Sequence, residues 1–323
     1  MENLLSVILC THNPRPDYLR RTLSALQKQT LPVEKWELLI IDNASRDAVA
    51  NNWDISWHPQ GRHVREEKVG LTFARLRGIA ESRGSLLVFV DDDNVLDPDY
   101  LERAMALPER YPFLGTFGAG RLEPEFEVPP PAHLLPRTGL LALRTEPRQL
   151  WTNNIEDWPC IPWGAGLCVT RQVASAYLEL IDQFNATPII DRSGKSLFSG
   201  GDDVFSWAAA KIGQGFGIFP ELRIVHLISK GRLNEGYFLR LIHDHAVSHG
   251  VLRYLRCNTL PPPVGLVGHA KLLLHGLRNG LFSLRCRWAE ARGYANAARY
   301  IQENGLRPLD WGRPFRRELG TST

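Results

Sequence analysis

Short apolar runs alternate with helical patterns along the first part of the chain. Residues 4–10 are almost continuously apolar, and Pro16 is followed by Leu19, Leu23 and Leu26. A strand that is buried on both faces has such an uninterrupted run, whereas leucines at i, i+4 and i+7 share one face of a helix. Since proline suits the first turn of a helix, the pattern predicts a buried strand and then a helix that begins near Pro16.

The same alternation continues to about residue 110. It predicts strands over 36–41 and 86–90, and helices over 71–83 and from about residue 98. Strands that alternate with helices predict an α/β fold with a doubly wound, mostly parallel sheet. Ligands of such sheets bind outside the carboxyl ends of the strands. Three polar clusters are predicted at that edge, namely Thr11–Asn13, Asp42–Asn43 and Asp91–Asn94.

Beyond residue 110 the pattern becomes less regular and then helical. Residues 122–150, rich in proline and polar residues, predict a long loop, and residues 185–200 predict a mobile connection. The other predicted elements are helices over 171–183, after Gly200, and over 233–256, 264–283 and 286–304, with strands over 215–219 and 222–228. We therefore expect an α/β domain over 1–230 and a helical C-terminal extension over 231–323.

Composition and charge narrow the class of protein. Of the 323 residues, 44% are hydrophobic and 23% are charged, which excludes disordered and fibrous proteins. The net charge is +3, but residues 230–323 hold 15 basic and 6 acidic side chains. The first 229 residues are therefore acidic, and this asymmetry indicates that the basic C-terminal part has a task of its own.

Membrane and redox signals are absent from the sequence pattern. No window offers 18 uninterrupted apolar residues, so we expect no transmembrane helix, and the run at 4–10 is too short for a signal peptide. The five cysteines are odd in number and form no CxxC pair. This argues against a disulfide framework or a zinc site and favours a reducing, cytoplasmic location.

The strongest chemical signal is the run Asp91-Asp92-Asp93 at the end of a predicted buried strand. Three adjacent carboxylates repel one another unless a cation lies among them. In an extended segment Asp91 and Asp93 point the same way, and their oxygens suit Mg²⁺ or Mn²⁺ completed by water and substrate phosphate. The alternative is a polar loop in which an acid caps the next helix, but a cap needs one acid rather than three.

Two further acidic motifs each have two interpretations. Asp42 is expected either to bind a ribose hydroxyl or base N–H group, or to cap a turn. Asp202 and Asp203 follow a glycine pair and either carry chemistry or are simply favoured at a helix N-terminus. The first predicted strand continues into Thr11–Pro14 without a GxGxxG loop, which argues against a nicotinamide or flavin dinucleotide.

Histidines supply two more candidate ligands. His226 lies within an apolar predicted strand and is either a metal ligand or a satisfied core residue. His245 and His249 are four residues apart on one predicted helix face, a spacing that a metal could use. A role at the surface, or towards a lipid phosphate, is the other interpretation of this pair.

Taken together, these motifs resemble those of the family 2 glycosyltransferases of GT-A fold, which use nucleotide-sugar donors. The resemblance covers about residues 4–230. It rests on Ser6–Asn13, Gln29–Pro32, Ile41–Ser45, Gly70–Gly78, Asp91–Asp93 with Pro98, Trp163–Arg171 and Asp202–Asp203. The chain departs from the family pattern at Leu76, where Asn is usual, and at Asp202, where Glu is usual.

The resemblance implies a role for each candidate residue. The residues implied to bind the nucleotide are Thr11, Asn13, Asp42, Arg75, Asp91 and Asp92. Those implied to bind a Mn²⁺ or Mg²⁺ ion are Asp93, Asp91 and His226, and those implied on the acceptor side are Trp163 and Gly164. Asp203 is implied as the general base. Asp202 either raises the pKa of its neighbour by like-charge repulsion or orients acceptor hydroxyls.

The implied reaction is a metal-dependent, inverting transfer of a hexosyltransferase type. The donor is a nucleoside-diphosphate sugar, with UDP-sugars favoured, and the acceptor is a hydroxyl of a glycan or a lipid-linked molecule. One alternative is a sugar nucleotidyltransferase, which normally has a glycine-rich loop after the first strand that Thr11–Arg15 lacks. The other is a non-catalytic nucleotide- or glycan-binding relative, against which the intact Asp91, Asp93 and Asp203 argue.

The basic C-terminal part has two interpretations of its own. Residues 265–284 place leucines on one side of a predicted helix with basic residues beside them. Such a helix lies peripherally on an anionic membrane, here the inner face, or packs against the body or a second subunit. Nucleic acid is not expected as a partner, because the basic residues lack the context of a known nucleic-acid-binding motif.

Overall fold

A computed structural model describes residues 4–183, 192, 196–260 and 280–309. The strands are β1 (Leu5–Thr11), β2 (Trp36–Asn43), β3 (Gly61–Glu66), β4 (Leu86–Asp91), β5 (Asn94–Leu96), β6 (Leu114–Phe126), β7 (Arg144–Thr145), β8 (Leu150–Thr152), β9 (Cys168–Thr170) and β10 (Gly215–Ile228). The helices are α1 (Pro16–Gln27), α2 (Leu71–Glu81), α3 (Tyr100–Arg110), α4 (Arg171–Gln183), α5 (Gly201–Lys211), α6 (Glu235–Cys257) and α7 (Leu281–Glu303).

One sheet runs through the described chain in the order β3-β2-β1-β4-β9-β6-β10-β5, with β7 beside β6 and β8 beside β10. The first four strands are mutually parallel, so the predicted parallel sheet describes this half. From β9 onwards the sheet is mixed, because β9 runs antiparallel to both β4 and β6. The α/β fold class is confirmed.

Helices cover both faces of the parallel half, as its apolar strands require. Along β1, Ile8 and Cys10 point to the face covered by α2, α4 and α5. Leu5, Val7 and Leu9 point to the opposite face, covered by α1 and α3. Side chains alternate along a strand, and a nearly continuous apolar run therefore follows from burial on both sides.

Two expectations for the middle of the chain are wrong. Residues 122–150 are not one long loop, since β6 extends to Phe126, a 3₁₀ helix covers Leu135–Leu141, and β7 and β8 join the sheet. The strands expected over 215–219 and 222–228 are one strand, β10, with a register shift between Phe219 and Arg223. The bulge interrupts the pairing but not the strand, and the apolar pattern alone does not distinguish these cases.

The helices α6 and α7 pack against the α/β body. Val251 and Leu255 of α6 and Ala297 of α7 belong to the same apolar cluster as Trp207 of α5. A Cβ on Gly293 would lie 2.3 Å from the carbonyl oxygen of His243, so α7 crosses α6 at a distance that only glycine permits. The division into domains at residue 230 stays a prediction.

None of the helices among the described residues is both long enough and apolar enough to cross a bilayer. The amphipathic helix predicted over 264–283 lies largely outside the described residues, and so does most of the connection predicted over 185–200. The five cysteines are free thiols. Membrane contact through the basic C-terminal part and cytoplasmic location stay predictions.

Candidate functional site

A cavity of about 1080 Å³ opens at the carboxyl ends of β1 and β4. It is the predicted edge of the sheet, and it extends from there to α6 and α7. The sequence candidates that line it are Thr11, Arg75, Asp91, Asp92, Asp93, Trp163, Gly164, Asp202, Asp203 and His226. The structure thus brings together residues from six separate segments of the chain.

The aspartate run forms the floor of the cavity. The hydroxyl of Thr11, at the end of β1, donates a hydrogen bond to Oδ2 of Asp92. Burial, and then the charge of Asp93, raise the pKa of Asp92 to about 7. The same two causes raise the pKa of Asp91. Three crowded carboxylates therefore resist full ionisation, which is the electrostatic situation that an added cation relieves.

Among the three aspartates of the run, Asp93 is the one that contacts a positively charged side chain. Its Oδ2 lies 2.9 Å from Nη2 of Arg232 and 3.4 Å from Nε2 of His226. Burial opposes ionisation of Asp93, but the neighbouring His226 and Arg232 outweigh it and hold its pKa well below the usual range. Strand pairing sets this contact, because His226 lies opposite Asn94 in the antiparallel pair of β10 and β5.

The donor atoms suit a divalent cation only in part. Within the described ranges no group of three or more His, Cys, Asp or Glu side chains is arranged to hold a metal ion. Mg²⁺ and similar ions are commonly bound by one or two carboxylates together with substrate phosphates, which Asp93 fits. His226 fits less well, because its buried Nδ1 has no hydrogen-bond partner among the described residues, whereas a ligating histidine normally donates from its second nitrogen.

Another part of the cavity wall brings together four further candidates, namely Arg75, Trp163, Gly164 and Asp202. The backbone N–H of Gly164 donates to Oδ2 of Asp202 at 3.0 Å. A Cβ on Gly164 would lie 2.4 Å from Nη2 of the buried Arg75. The neighbouring Trp163 ring has the guanidinium of Arg144 stacked 3.8 Å from its centroid. The segment before β9 is therefore placed by contacts to both α2 and α5.

Two predicted nucleotide residues lie beside the cavity rather than in its lining. The carboxylate of Asp42 accepts from the backbone of Ser45 and Val49 and from Nη1 of Arg65, at 3.0, 3.1 and 2.7 Å. Asn13 accepts from the backbone of Arg46 at 2.9 Å. These contacts organise the turn after β2, which was the alternative interpretation of Asp42, and a nucleoside contact by either residue stays a prediction.

The sequence assigned no individual role to three lining residues, of which Asn43 and His12 lie in the polar clusters predicted at this edge and Arg232 was not singled out at all. Asn43, next to Asp42, lines the cavity, and its Oδ1 accepts from the backbone of Gly70 at 2.8 Å. His12 and Arg232 line it as well. The histidine pair His245 and His249 lies in the part of the cavity wall formed by α6. No local spacing distinguishes Arg232 from the chain's other arginines, so only its fold neighbours identify it.

The N-terminal half of the chain is similar to a known protein family. Residues 6–157 match the model of Glycosyl transferase family 2. Glycosyltransferase AglE of Haloferax volcanii is 30% identical over 105 residues, which are 32% of this chain and 34% of that protein. The putative glycosyltransferase EpsH of Bacillus subtilis is 28% identical over 104 residues, 31% of this chain and 29% of that one. The similarity thus spans about a third of each relative's length.

Solved structures resemble the whole described fold at low identity. A mannosyltransferase from Pyrobaculum calidifontis, in complex with GDP-Man and Mn²⁺, has 17% identity and a TM-score of 0.55 over 93% of this chain and 86% of that one. TarS 1–349 of S. aureus, in complex with UDP-GlcNAc, has 14% identity and a TM-score of 0.51 over 93% and 92%. Residues 6–157 are therefore similar to glycosyl transferase family 2, and the chain shares the α/β fold, of GT-A type, of the two solved structures.

Proposed function

We propose that this protein is an inverting glycosyltransferase that moves a sugar from a nucleoside-diphosphate donor to a hydroxyl of a glycan or lipid-linked acceptor. One observation carries the proposal. A single cavity is lined both by the carboxylates that end β4 and by the Asp202–Asp203 pair that begins α5. The first set suits a diphosphate with its cation, and the second suits proton transfer from an acceptor.

The donor is assigned to the side of the cavity formed by β1, β4 and α2. Thr11 and Asn43 lie at the strand ends, where nucleotides bind in open α/β sheets. Arg75 adds a permanent positive charge within the lining, which favours an anionic diphosphate. The solved relatives described above hold UDP-GlcNAc or GDP-Man, which supports a nucleotide-sugar donor, and we favour a UDP-sugar.

Asp93 is the residue proposed to hold a Mn²⁺ or Mg²⁺ ion, with Asp91 beside it. When bound, such an ion neutralises the charge that develops on the departing nucleoside diphosphate. The raised pKa values of Asp91 and Asp92 support a cation at this place, because an ion stabilises the ionised form of both carboxyl groups. The Mn²⁺ of the Pyrobaculum calidifontis complex supports the choice of metal.

Asp203 is proposed as the general base. Its carboxylate takes the proton of the acceptor hydroxyl while that oxygen forms a bond to the anomeric carbon. The bond from the anomeric carbon to the diphosphate oxygen breaks, and its electron pair leaves with the nucleoside diphosphate. Attack from the face opposite the leaving group inverts the anomeric carbon.

Asp202 is proposed to position the acceptor side rather than to take the proton. Its Oδ2 is held by the backbone N–H of Gly164, so the carboxylate is oriented by the segment that also carries Trp163. An aromatic ring beside a fixed carboxylate suits a sugar, which offers C–H groups to the ring and hydroxyls to the oxygen. Holding the acceptor in line with the anomeric carbon lowers the entropic part of the barrier.

The experiment is a comparison of Asp203→Asn with the wild type and with Asp182→Asn, an exposed aspartate of α4. Release of nucleoside diphosphate from a panel of UDP- and GDP-sugars with Mn²⁺ is measured first without and then with candidate acceptors. Asp203→Asn should lose turnover by a factor of about 10²–10⁴, the usual contribution of a general base. The thermal stabilisation of Asp203→Asn by nucleotide should equal that of the wild type. Asp182→Asn should equal the wild type in both turnover and stabilisation by nucleotide.

Turnover in Asp203→Asn at the wild-type rate contradicts the base assignment. A wild-type protein that neither releases nucleoside diphosphate nor is stabilised by any nucleotide of the panel contradicts the proposed function as a whole.

A further inference from the structure

Arg232 contacts both Asp93 and His226, two of the residues predicted to bind a metal ion. Its Nη2 lies 2.9 Å from Oδ2 of Asp93, and its Nη1 lies 3.1 Å from Nε2 of His226. Oδ2 of Asp93 and Nε2 of His226 are themselves 3.4 Å apart. The flat edge of one guanidinium therefore spans both of the groups that the sequence assigned to a metal.

Burial makes this contact strong. The side chains of Asp93 and His226 are 10% and 7% exposed, and that of Arg232 is 21% exposed. A charge-assisted hydrogen bond in such surroundings is little weakened by solvent. Arginine stays protonated in proteins, so the guanidinium offsets the charge of the Asp93 carboxylate for as long as the two are in contact.

A metal ion and this guanidinium compete for Oδ2 of Asp93. A Mg²⁺ ion bound to a carboxylate oxygen lies about 2.0–2.1 Å from it, and the guanidinium nitrogen lies 2.9 Å from the same oxygen. Two cations that share one oxygen at these distances repel strongly. An ion at Oδ2 is therefore expected to bind more weakly while Arg232 remains on that oxygen.

Arg232 also has a second partner available. It ends a short 3₁₀ turn, Lys230–Arg232, directly after β10, and its side chain lines the cavity. The turn is held by its backbone, since the N–H of Lys230 donates to Glu127 at 2.8 Å. The planar fork of arginine matches a phosphate as well as it matches a carboxylate, so a diphosphate in the cavity is a suitable new partner.

We propose that Arg232 is a positioning residue that holds Asp93 in the free protein, competes there with the divalent cation, and transfers to the donor diphosphate when the nucleotide binds. Nucleotide and metal then bind in a coupled way, because the diphosphate removes the competitor of the metal. This inference rests on the proposed function, since it takes a nucleoside diphosphate as the ligand of the cavity.

The test is a direct measurement of Mn²⁺ binding by the electron paramagnetic resonance signal of free Mn²⁺. Wild type, Arg232→Gln and Arg232→Lys are titrated without nucleotide and then with UDP or GDP. The matched control is Arg240→Gln, which removes one exposed arginine from α6. Circular dichroism and thermal unfolding establish that each variant is folded.

Without nucleotide, Arg232→Gln should bind Mn²⁺ about tenfold more tightly than the wild type, a typical size for coupling between two ligands. Arg232→Lys keeps a cation beside Asp93 and should bind Mn²⁺ more weakly than Arg232→Gln. Arg240→Gln should match the wild type. Adding UDP or GDP should tighten Mn²⁺ binding to the wild type more than to Arg232→Gln.

Equal or weaker Mn²⁺ binding by folded Arg232→Gln overturns the inference, and so does the absence of Mn²⁺ binding in every protein. Failure of the proposed function gives a different result. In that case UDP and GDP fail to stabilise the wild type in the presence of Mn²⁺. The Mn²⁺ affinities of wild type and Arg232→Gln without nucleotide still test whether Arg232 competes with the ion.

Discussion

The guanidinium of Arg75 passes directly over Gly164. A Cβ on residue 164 would lie 2.4 Å from Nη2 of Arg75, which is closer than any ordinary contact. Arg75 belongs to α2 and Gly164 to the segment before β9, and both line the cavity. The absence of a side chain at position 164 therefore leaves room for the guanidinium of Arg75 at this place.

We predict that Gly164→Ala displaces Arg75 and weakens donor binding. The expected loss is about tenfold in nucleotide affinity, the value of one charge-assisted hydrogen bond that is no longer aligned. Thermal stabilisation by UDP or GDP measures the effect. Gly231→Ala is the control, because a Cβ there meets only Oγ of Ser229, at 3.8 Å. Equal nucleotide affinity in Gly164→Ala and wild type contradicts the prediction.

We predict that Asp93→Asn removes the metal-dependent part of nucleotide binding. The amide keeps the shape of the side chain but loses the charge that a divalent ion needs. The nucleotide-induced shift in melting temperature should be the same with Mn²⁺ and with EDTA in this variant. Asp99→Asn, at the start of α3, should keep the difference shown by the wild type. A variant that responds to Mn²⁺ as the wild type does would show that Asp93 is not the metal ligand.

We predict that Gly293→Ala loosens the packing of α7 on α6. The new Cβ would lie 2.3 Å from the carbonyl oxygen of His243 and 2.7 Å from Cβ of Ala246, so the backbone of one helix must move. Overpacking of this kind costs about 1–3 kcal/mol. Urea unfolding measures the free energy of unfolding, with the exposed Arg292→Ala of the same helix as control. An unchanged free energy in Gly293→Ala would contradict the close crossing.

His58 gives a prediction on pH. Its side chain is 3% exposed, and its Nε2 has no hydrogen-bond partner among the described residues. Burial lowers the pKa of His58 to about 4, whereas an unfolded chain protonates histidine near its ordinary value of about 6.5. Between these two values the unfolded state binds the proton and the folded state does not.

The free energy of unfolding should therefore fall as the pH decreases from about 6.5 to about 4, by up to about 3 kcal/mol from this group. Above pH 6.5 the contribution is complete, because His58 is neutral in both states. His58→Phe keeps a ring against Trp36, which lies 4.2 Å away centroid to centroid, but cannot take a proton. Urea unfolding at a series of pH values should show a smaller decrease in the variant. An identical decrease in both proteins would contradict the prediction.

Much of the fold follows from the chain pattern alone. The predicted strands over 4–10, 36–41 and 86–90 are confirmed as β1, β2 and β4 within two residues at each end. They are recognisable because a strand covered on both faces has no polar position to interrupt its apolar run. The short β3 and β5 were not predicted, since neither has such a run. The bulge in β10 coincides with Pro220, which the apolar pattern presented as a break between two strands.

Some residues of the candidate site could be identified from the sequence, and others only from the packed structure. Asp91–Asp93 and Asp202–Asp203 were identifiable because several acids stand at a strand end and a helix start, where burial makes their charges costly. Asp42 stood out for the same reason, yet its oxygens accept from Ser45, Val49 and Arg65, and Asn43 beside it lines the cavity. One residue along a strand reverses the face, and only the packed sheet decides which face meets the cavity.

By itself the sequence determined the alternation of strands and helices, and with it the edge of the sheet where the acids gather. Only the tertiary structure decided that Arg232 meets Asp93, 139 positions away in the chain, and that Gly164 lies under Arg75. The physical reason is that local apolar periodicity reflects the burial of each segment separately. A contact between two distant side chains depends on the register, bulges and close crossings of every element between them.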